Sequence, residues 1–450
     1  MSFPRYPRYK DSGVEWLGRI PEHWDVLRAT HLFNEVAEQG SEDLPILSVS
    51  IHDGVSDDEL NDEQLDRKVS RSDDRSKYKR VQPDDLVYNM MRAWQGGFGT
   101  VRATGMVSPA YVVARPKSRF STVFVEHLLR TPNAIEEMRR HSHGVTDFRL
   151  RLYWDSFKDL YLTLPPHDEQ LAIIDFLHRE VAKIDALVSE QQRLIELLKE
   201  KRQAVISDAV TKGLDRNAPT RRTGIEGMDE VPTHWEVKRI KHLSAFISKG
   251  TTPTTIGAEF VETGVRFLKA ENITDGRVSS EPEFFISPET HRLMVRSNLH
   301  DLDVLVVIAG ATTGKSAVVT EDLLPANTNQ AVAFVRCRDK RHAAFVNFWM
   351  STAFVQERVK LASVQSAQPN LSMEDLGNMQ IPVPSPAEQT QILDYLDAEL
   401  GRLDALTGEA AKAIELLEEH RVALISAAVT GKIDLRGLAG AKASTAVVAA

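Results

Sequence analysis

Residues 164–215 read LPPHDEQLAIIDFLHREVAKIDALVSEQQRLIELLKEKRQAVISDAVTKGLD, and residues 383–434 read VPSPAEQTQILDYLDAELGRLDALTGEAAKAIELLEEHRVALISAAVTGKID. The two align without a gap at an offset of 219, with 24 identities in 52 positions. A shorter repeat lies upstream of each: RIPEHWDVLRATHL (19–32) matches EVPTHWEVKRIKHL (230–243) at an offset of 211. The chain is two tandem copies of one plan. Each copy opens on a Pro-x-His-Trp element, continues through a variable body, and closes on a Pro-x-x-x-Glu-Gln helix. Because the offsets differ by 8, the second body is longer by about that many residues.

Residues 168–211 and 387–430 contain no proline, while Pro165, Pro166, Pro384 and Pro386 precede or open them, as suits helix starts. Acidic residues in the first turns (Asp168, Glu169, Glu388) complement the helix dipole. Two rows recur every seven residues. Leu177, Ile184, Gln191, Leu198 and Val205 form one, and Val181, Val188, Ile195, Arg202 and Ala209 the other. Their copies include Leu396, Leu403, Ile414 and Leu417, with Arg421 matching Arg202. This is the a/d seam of a coiled coil. A helix of roughly 43 residues would be ~64 Å long, and such a stripe needs a partner. The simplest partner is its own copy, packed antiparallel, with Arg202 and Arg421 either snorkelling or paired to acids such as Asp185 or Glu196 and their copies.

The bulk numbers set limits. At 450 residues the chain should hold two or three domains, and 42% hydrophobic with 26% charged residues is a soluble composition. A single cysteine, Cys337, excludes a disulfide framework and a cysteine zinc site. The N-terminus lacks a signal-peptide core and no apolar run approaches a membrane span, so the cytoplasm is expected. The net charge of −9 is unlike a basic nucleic-acid footprint, but seven of the nine charges lie in 164–215 and 383–450. A local basic run, Arg67 to Arg80, contributes Arg71, Arg75, Lys77, Lys79 and Arg80.

The bodies carry short β-rich runs at 45–51, 85–91, 110–116, 265–270, 303–309 and 331–337, each bounded by turn residues. A helical piece ends each body, at 125–141 and 343–360. No amino-methyltransferase signature, nucleophile elbow or dinucleotide loop appears. His141 and His143 lack a third ligand nearby in sequence. Polar residues suited to base edges and phosphates are better represented. Body one offers Arg92, Trp94 and Gln95, then Thr146 and Arg149. Body two offers Lys249, Thr251 and Thr252, then Lys269 and Asn272, then Asn329 and Gln330, and lastly Gln365, Gln368 and Asn370.

VLVVIAGATTGKSAVV (304–319) resembles a phosphate-binding loop, which would make the chain a nucleotide enzyme. Such a loop must open a helix, yet the following SAVVTEDLLP is short, β-branched and ends at Pro325. At an offset of 218 the stretch aligns with DLVYNMMRAWQGGFGTV (85–101), which has no Gly-Lys-Ser. A hairpin is predicted instead, with Thr312, Thr313, Lys315 and Ser316 at its tip as further candidates for DNA contact. A coiled-coil scaffold whose bodies bind proteins is the other alternative.

The doubled frame, IPEHWDV and VPTHWEV with the paired Glu-Gln helices and the ISDAVTKGLD and ISAAVTGKID tails, resembles the specificity subunit of type I restriction-modification systems. The resemblance runs from the N-terminus to about residue 436. It implies an α+β fold: two β-rich target recognition domains joined by two long helices that form an antiparallel intramolecular coiled coil, a pseudo-twofold repeat. The domains implied are 1–163 and 216–382, with helices at 164–215 and 383–436 and a disordered Ala-rich tail at 437–450. Each recognition domain would read one half of a split double-stranded DNA target, and the coil would fix the spacer. Two methyltransferase subunits carrying S-adenosylmethionine, and motor-nuclease subunits using ATP and Mg²⁺, are the implied partners. The chain itself would be non-catalytic and hold no cofactor or metal.

Overall fold

The computed structural model describes residues 3–41, 43–51, 54–60, 77–144, 150–225, 228–274, 276–363 and 370–437. The Ala-rich tail lies outside the described residues. The chain forms two compact units, Met1–Gln191 with Lys412–Ala450, and Gln192–Ala411. Each unit holds one body and a half of each long helix.

In the first body, strands β1 (Phe33–Val36), β2 (Leu86–Asn89), β3 (Phe98–Thr100) and β4 (Tyr111–Pro116) form an antiparallel sheet in the order β1-β4-β2-β3. Helices α1 (Thr122–Leu129) and α2 (Pro132–Arg140) follow. The sequence predicts one helical piece here. It is two, because Pro132 has no N–H to continue α1, while the Thr131 hydroxyl accepts from Ala134 N and starts a new helix. The first long helix, α3, runs His167–Lys212.

The second body repeats the layout. Strands β5 (Ser244–Lys249), β6 (Val304–Val307), β7 (Ser316–Val318) and β8 (Val332–Cys337) take the same order, β5-β8-β6-β7. The helical piece is again split, into α4 (His342–Met350) and α5 (Ala353–Ser363), with the Thr352 hydroxyl accepting from Val355 N at the break. The second long helix, α6, runs Pro386–Val429. Each sheet is locked by the same bidentate pair. Arg115 on β4 grips the buried Asp85 at 2.9 and 3.0 Å, and Arg336 on β8 grips the buried Asp303 at 2.8 and 2.7 Å.

The seam is as the heptads require. Leu177, Ile184, Leu198, Leu396 and Leu403 are buried, and Ile195, Ile414 and Leu417 are half-buried. In the first unit Leu177 and Ile184 share a core with Leu424 and Ala428, and in the second Leu198 and Ala209 share one with Leu396 and Leu403. Within each unit, therefore, the early part of one helix packs on the late part of the other, which makes the pairing antiparallel. The seam arginines reach across. Arg202 donates to Asp404 at 2.6 Å, and Arg421 Nε lies 3.2 Å from Asp185 Oδ1. Asp404 is the copy of Asp185 and Arg421 that of Arg202, so one ion pair occurs twice.

Each body is fastened to the first turn of its helix by the Glu-Gln motif. Glu169 is buried and accepts from the Tyr6 hydroxyl (2.6 Å), Trp24 Nε1 (3.1 Å) and His23 Nε2 (2.8 Å). Its neighbour Gln170 accepts from Ser121 N, the N-cap of α1, at 2.7 Å. In the second unit Glu388 pairs with His234 at 2.9 Å and Gln389 with His342 at 3.0 Å. Trp235, the copy of Trp24, is buried with its indole N–H unpartnered among the described residues.

This asymmetry has a measurable consequence. Glu169→Ala strands two buried donors and should lower unfolding stability by about 3–5 kcal/mol, while Glu388→Ala should cost about 1–2 kcal/mol. Denaturant titration of both variants checks the ranking, and equal losses would contradict the geometry. A second test concerns His127 on α1. Burial, with Arg130, His178, Arg421 and Arg102 nearby, pushes its imidazole down to about 4. The unfolded value is ~6.5, so the neutral ring's contribution is fully present above about pH 6.5 and is lost as pH falls toward about 4. His127→Gln should flatten the decline of the thermal midpoint between about pH 7 and about pH 5. An unchanged slope would remove His127 as its source.

Candidate nucleic-acid interface

The sheet order dictates which loops meet. In the second body, Lys249 at the end of β5 faces Ala333 near the start of β8, and Val307 at the end of β6 faces Val332. The end of β5, the start of β8 and the turn between β6 and β7 therefore share one end of the sheet. Thr251 N donates to Thr328 O at 3.0 Å, which joins Lys249, Thr251 and Thr252 to Asn329 and Gln330. Gly250 permits this approach, since a Cβ there would stand 1.9 Å from Thr328 O. Leu268 runs parallel beside Thr328 and brings Lys269 to the same end. A bridge between Ala309 and Asn370, with Leu371 N donating to Ile308 O at 2.8 Å, seats Asn370 against the β6–β7 turn.

The first body converges in the same way. The turn after β2 carries Arg92 and Trp94, both half-buried, and the exposed Gln95. Trp94 Nε1 is tethered to Met91 O at 3.0 Å. Lys79 donates to Tyr111 O, at the start of β4, at 2.8 Å, and its burial lowers its pKa. Lys77 and Arg80 are exposed beside it. His143 and Arg151 exchange backbone hydrogen bonds, and Leu152 N donates to Met90 O at 2.9 Å, so this segment flanks the turn. Arg71, Arg75, Thr146, Arg149, Gln365 and Gln368 lie outside the described residues.

Two candidates point inward. The Asn272 amide donates to Ser279 O and Pro282 O and its oxygen accepts from Lys269 N; the residue is buried. Ser316 is also buried and donates to Asn347 Oδ1 at 2.8 Å. Lys269 itself is half-buried, with its ammonium 3.2 Å from the Phe284 ring centroid. The sequence reading overlooked Arg151, which is exposed beside the first tip. The signal was available, because the offset of 219 makes it the counterpart of Asn370.

The Gly-Lys-Ser stretch is the predicted hairpin. β6 and β7 pair antiparallel on either side of it. Its amides are already committed: Thr313 N donates to Gly310 O, Gly314 N to Val307 O and Lys315 N to Thr312 O. A phosphate loop needs those N–H groups turned toward its ligand, and a helix after the serine. Here a strand follows. Among the described residues no cluster of His, Cys, Asp or Glu could hold a metal ion, and no helix is long and apolar enough to cross a membrane.

Comparison with known proteins gives the arrangement a family. Residues 232–416 match the type I restriction modification DNA specificity domain. The EcoBI specificity subunit of Escherichia coli is 23% identical over 364 residues, covering 78% of this chain and 74% of its own. The MjaVIII specificity subunit of Methanocaldococcus jannaschii is 21% identical over 433 residues, covering 93% and 95%. In fold, a chain solved for complex assembly and conformational transition of the type I R-M system superposes with a TM-score of 0.68 at 16% identity, over 91% of this chain and 98% of that one. The HsdS subunit from Thermoanaerobacter tengcongensis gives 0.54 at 17%, over 92% and 98%. Residues 232–416 thus match the specificity domain, and along most of its length the chain is similar to specificity subunits of type I restriction-modification systems.

Proposed function

We propose that the chain reads a split DNA target, one half with each body, and that the paired helices set the unread spacer. The observation that carries this is the convergence, at the same end of both sheets, of polar residues from separate stretches of chain, three in the first body and five in the second. The tips differ in chemistry, with Arg92, Trp94 and Gln95 on one and Thr312, Thr313 and Lys315 on the other, so the two half-sites should differ. Arginine suits guanine, glutamine suits adenine, and lysine or threonine suits phosphates and either base edge. Asn272 and Ser316 are left out of the contact set because their polar atoms are used internally.

The catalysis belongs to partners. Two methyltransferase subunits, carrying S-adenosylmethionine, would dock on the paired helices, and motor-nuclease subunits using ATP and Mg²⁺ would join them. Exposed leucines support two equivalent docking places. The first unit exposes Leu187 and Leu416 and the second exposes Leu406 and Leu197, which are their repeat copies. The ion-pair register within each unit puts the two leucines at nearly the same level. Apolar faces of this kind mark contact surfaces. The compartment that suits such an assembly is the cytoplasm.

Replacing residues 246–382 with the same region of a relative should change one half of the methylated sequence and leave the other intact. Methylome sequencing of cells carrying the hybrid reads this out, and a change in both halves would refute separate reading. Insertion of one helical turn within 187–200, matched on α6, should lengthen the spacer and preserve both halves. An unchanged spacer in the same assay would refute the helices as its ruler.

A further inference from the structure

The second unit contains an open cavity of about 1380 Å³ whose counterpart in the first unit is filled by the chain's own N-terminus. The cavity lies where α3 ends and the ribbon Thr220–Ile225/Met228–Pro232 begins, and it is lined by Val205, Leu214, Arg222, Met228, Phe354 and Tyr395. Tyr395 is the repeat copy of Phe176. In the first unit Phe176 is 5% exposed under an edge-on contact from Phe3, with ring centroids 5.4 Å apart, whereas Tyr395 is 40% exposed.

The cause is a difference in chain connection. In the first unit two chain ends overlap. Phe3 to Tyr6 covers the helix start, while Ile433 and Leu435 after α6 are buried beside it, and Asp434 N donates to Pro4 O at 2.8 Å. In the second unit one continuous linker, from Leu214 into the ribbon, replaces both. By the two offsets Leu214 stands for Phe3 and for Ile433 together, and it is 41% exposed where Ile433 is 9%. One segment does the covering that two do elsewhere, and the space of the second is left open.

We infer that this cavity is a docking site for an extended peptide segment of a partner protein, bearing an aromatic residue, a proline, a basic residue and a tyrosine as in Phe3-Pro4-Arg5-Tyr6. The aromatic lead residue packs on Tyr395 as Phe3 packs on Phe176. Gly213 is part of the cavity wall, with Glu388 and Trp235 close behind it. A second copy of this chain is not the occupant, because its N-terminus is already seated, with Tyr6 buried against Trp24 and Glu169.

The test is a fluorescence anisotropy titration of the full chain with a labelled FPRYPRYK peptide, without DNA. The expected result is saturable binding, weakened about tenfold or more by Tyr395→Ala and by alanine in place of the peptide's leading phenylalanine. Leu214→Ser provides a second variant should Tyr395→Ala alter the thermal midpoint. No saturation below ~1 mM peptide, or binding indifferent to both variants, overturns the inference. So does concentration-dependent self-association of the chain that Tyr395→Ala abolishes, since the occupant would then be a second copy.

Discussion

A carboxylate in the first turn of each long helix is the joint on which the molecule depends. An acidic side chain at a helix N-terminus gains from the dipole, but Glu169 does more than neutralise partial charge. It is buried, and three aromatic donors from the Pro-x-His-Trp element and the N-terminus converge on it. The adjacent glutamine turns to the other side of the body, where Gln170 meets the cap of α1 and Gln389 meets the first residue of α4. The Glu-Gln dipeptide thus holds a body by two of its elements at once. A body held this way follows its helix as a rigid attachment, and a helix of fixed length can set the place of what it carries.

Duplication explains what the two units share and where they part. Two shared features answer to burial, the sheet order and the bidentate Asp–Arg lock, while the crossed Arg–Asp pairs of the seam recur at its exposed edge. A buried Asp85 or Asp303 without its arginine would be an uncompensated charge, costing about 3–5 kcal/mol, so neither member can drift alone. The turns at the open end of each sheet carry no such constraint. There Arg92 and Trp94 stand in one body where Gly310 and Thr312 stand in the other, and the backbone differs as well, with φ −131° at Arg92 and +103° at Gly310. Divergence is not limited to the turns, since the second body also carries a four-stranded sheet within residues 260–328 that the first lacks among the described residues.

The frame was legible in the sequence because periodicity and repetition report burial directly. Every heptad position named from the seven-residue rows is buried or half-buried, and strands β2, β4, β6 and β8 fall inside the predicted β-rich runs, while β1, β3, β5 and β7 lie outside them. Even the crossed ion pairs could be anticipated, because an arginine on an apolar seam needs an acid within reach. The side-chain roles at the tips were less legible. Asn272 and Ser316 look like contact residues in sequence, but hydrogen-bonding capacity says nothing of direction, and the fold turns both inward. The role of Tyr6 was equally hidden, since its partner Glu169 is 163 residues away. The split of each helical piece could have been found, because Pro132 breaks the first and Thr352 can cap a new start in the second.

Two of the lysines at the tips are already committed. Lys79 is tied to the Tyr111 carbonyl, and Lys269 lies over Phe284 and 3.9 Å from Glu271, so neither projects as a plain phosphate-binding charge. The two long helices concentrate the acidic residues, which would repel a polyanion laid along them. Phosphate contacts supply most of the salt-dependent, sequence-blind share of DNA affinity. On the proposed function, the acidic helices would add little to that share, and it would fall to the sheet ends and to whatever else holds the duplex.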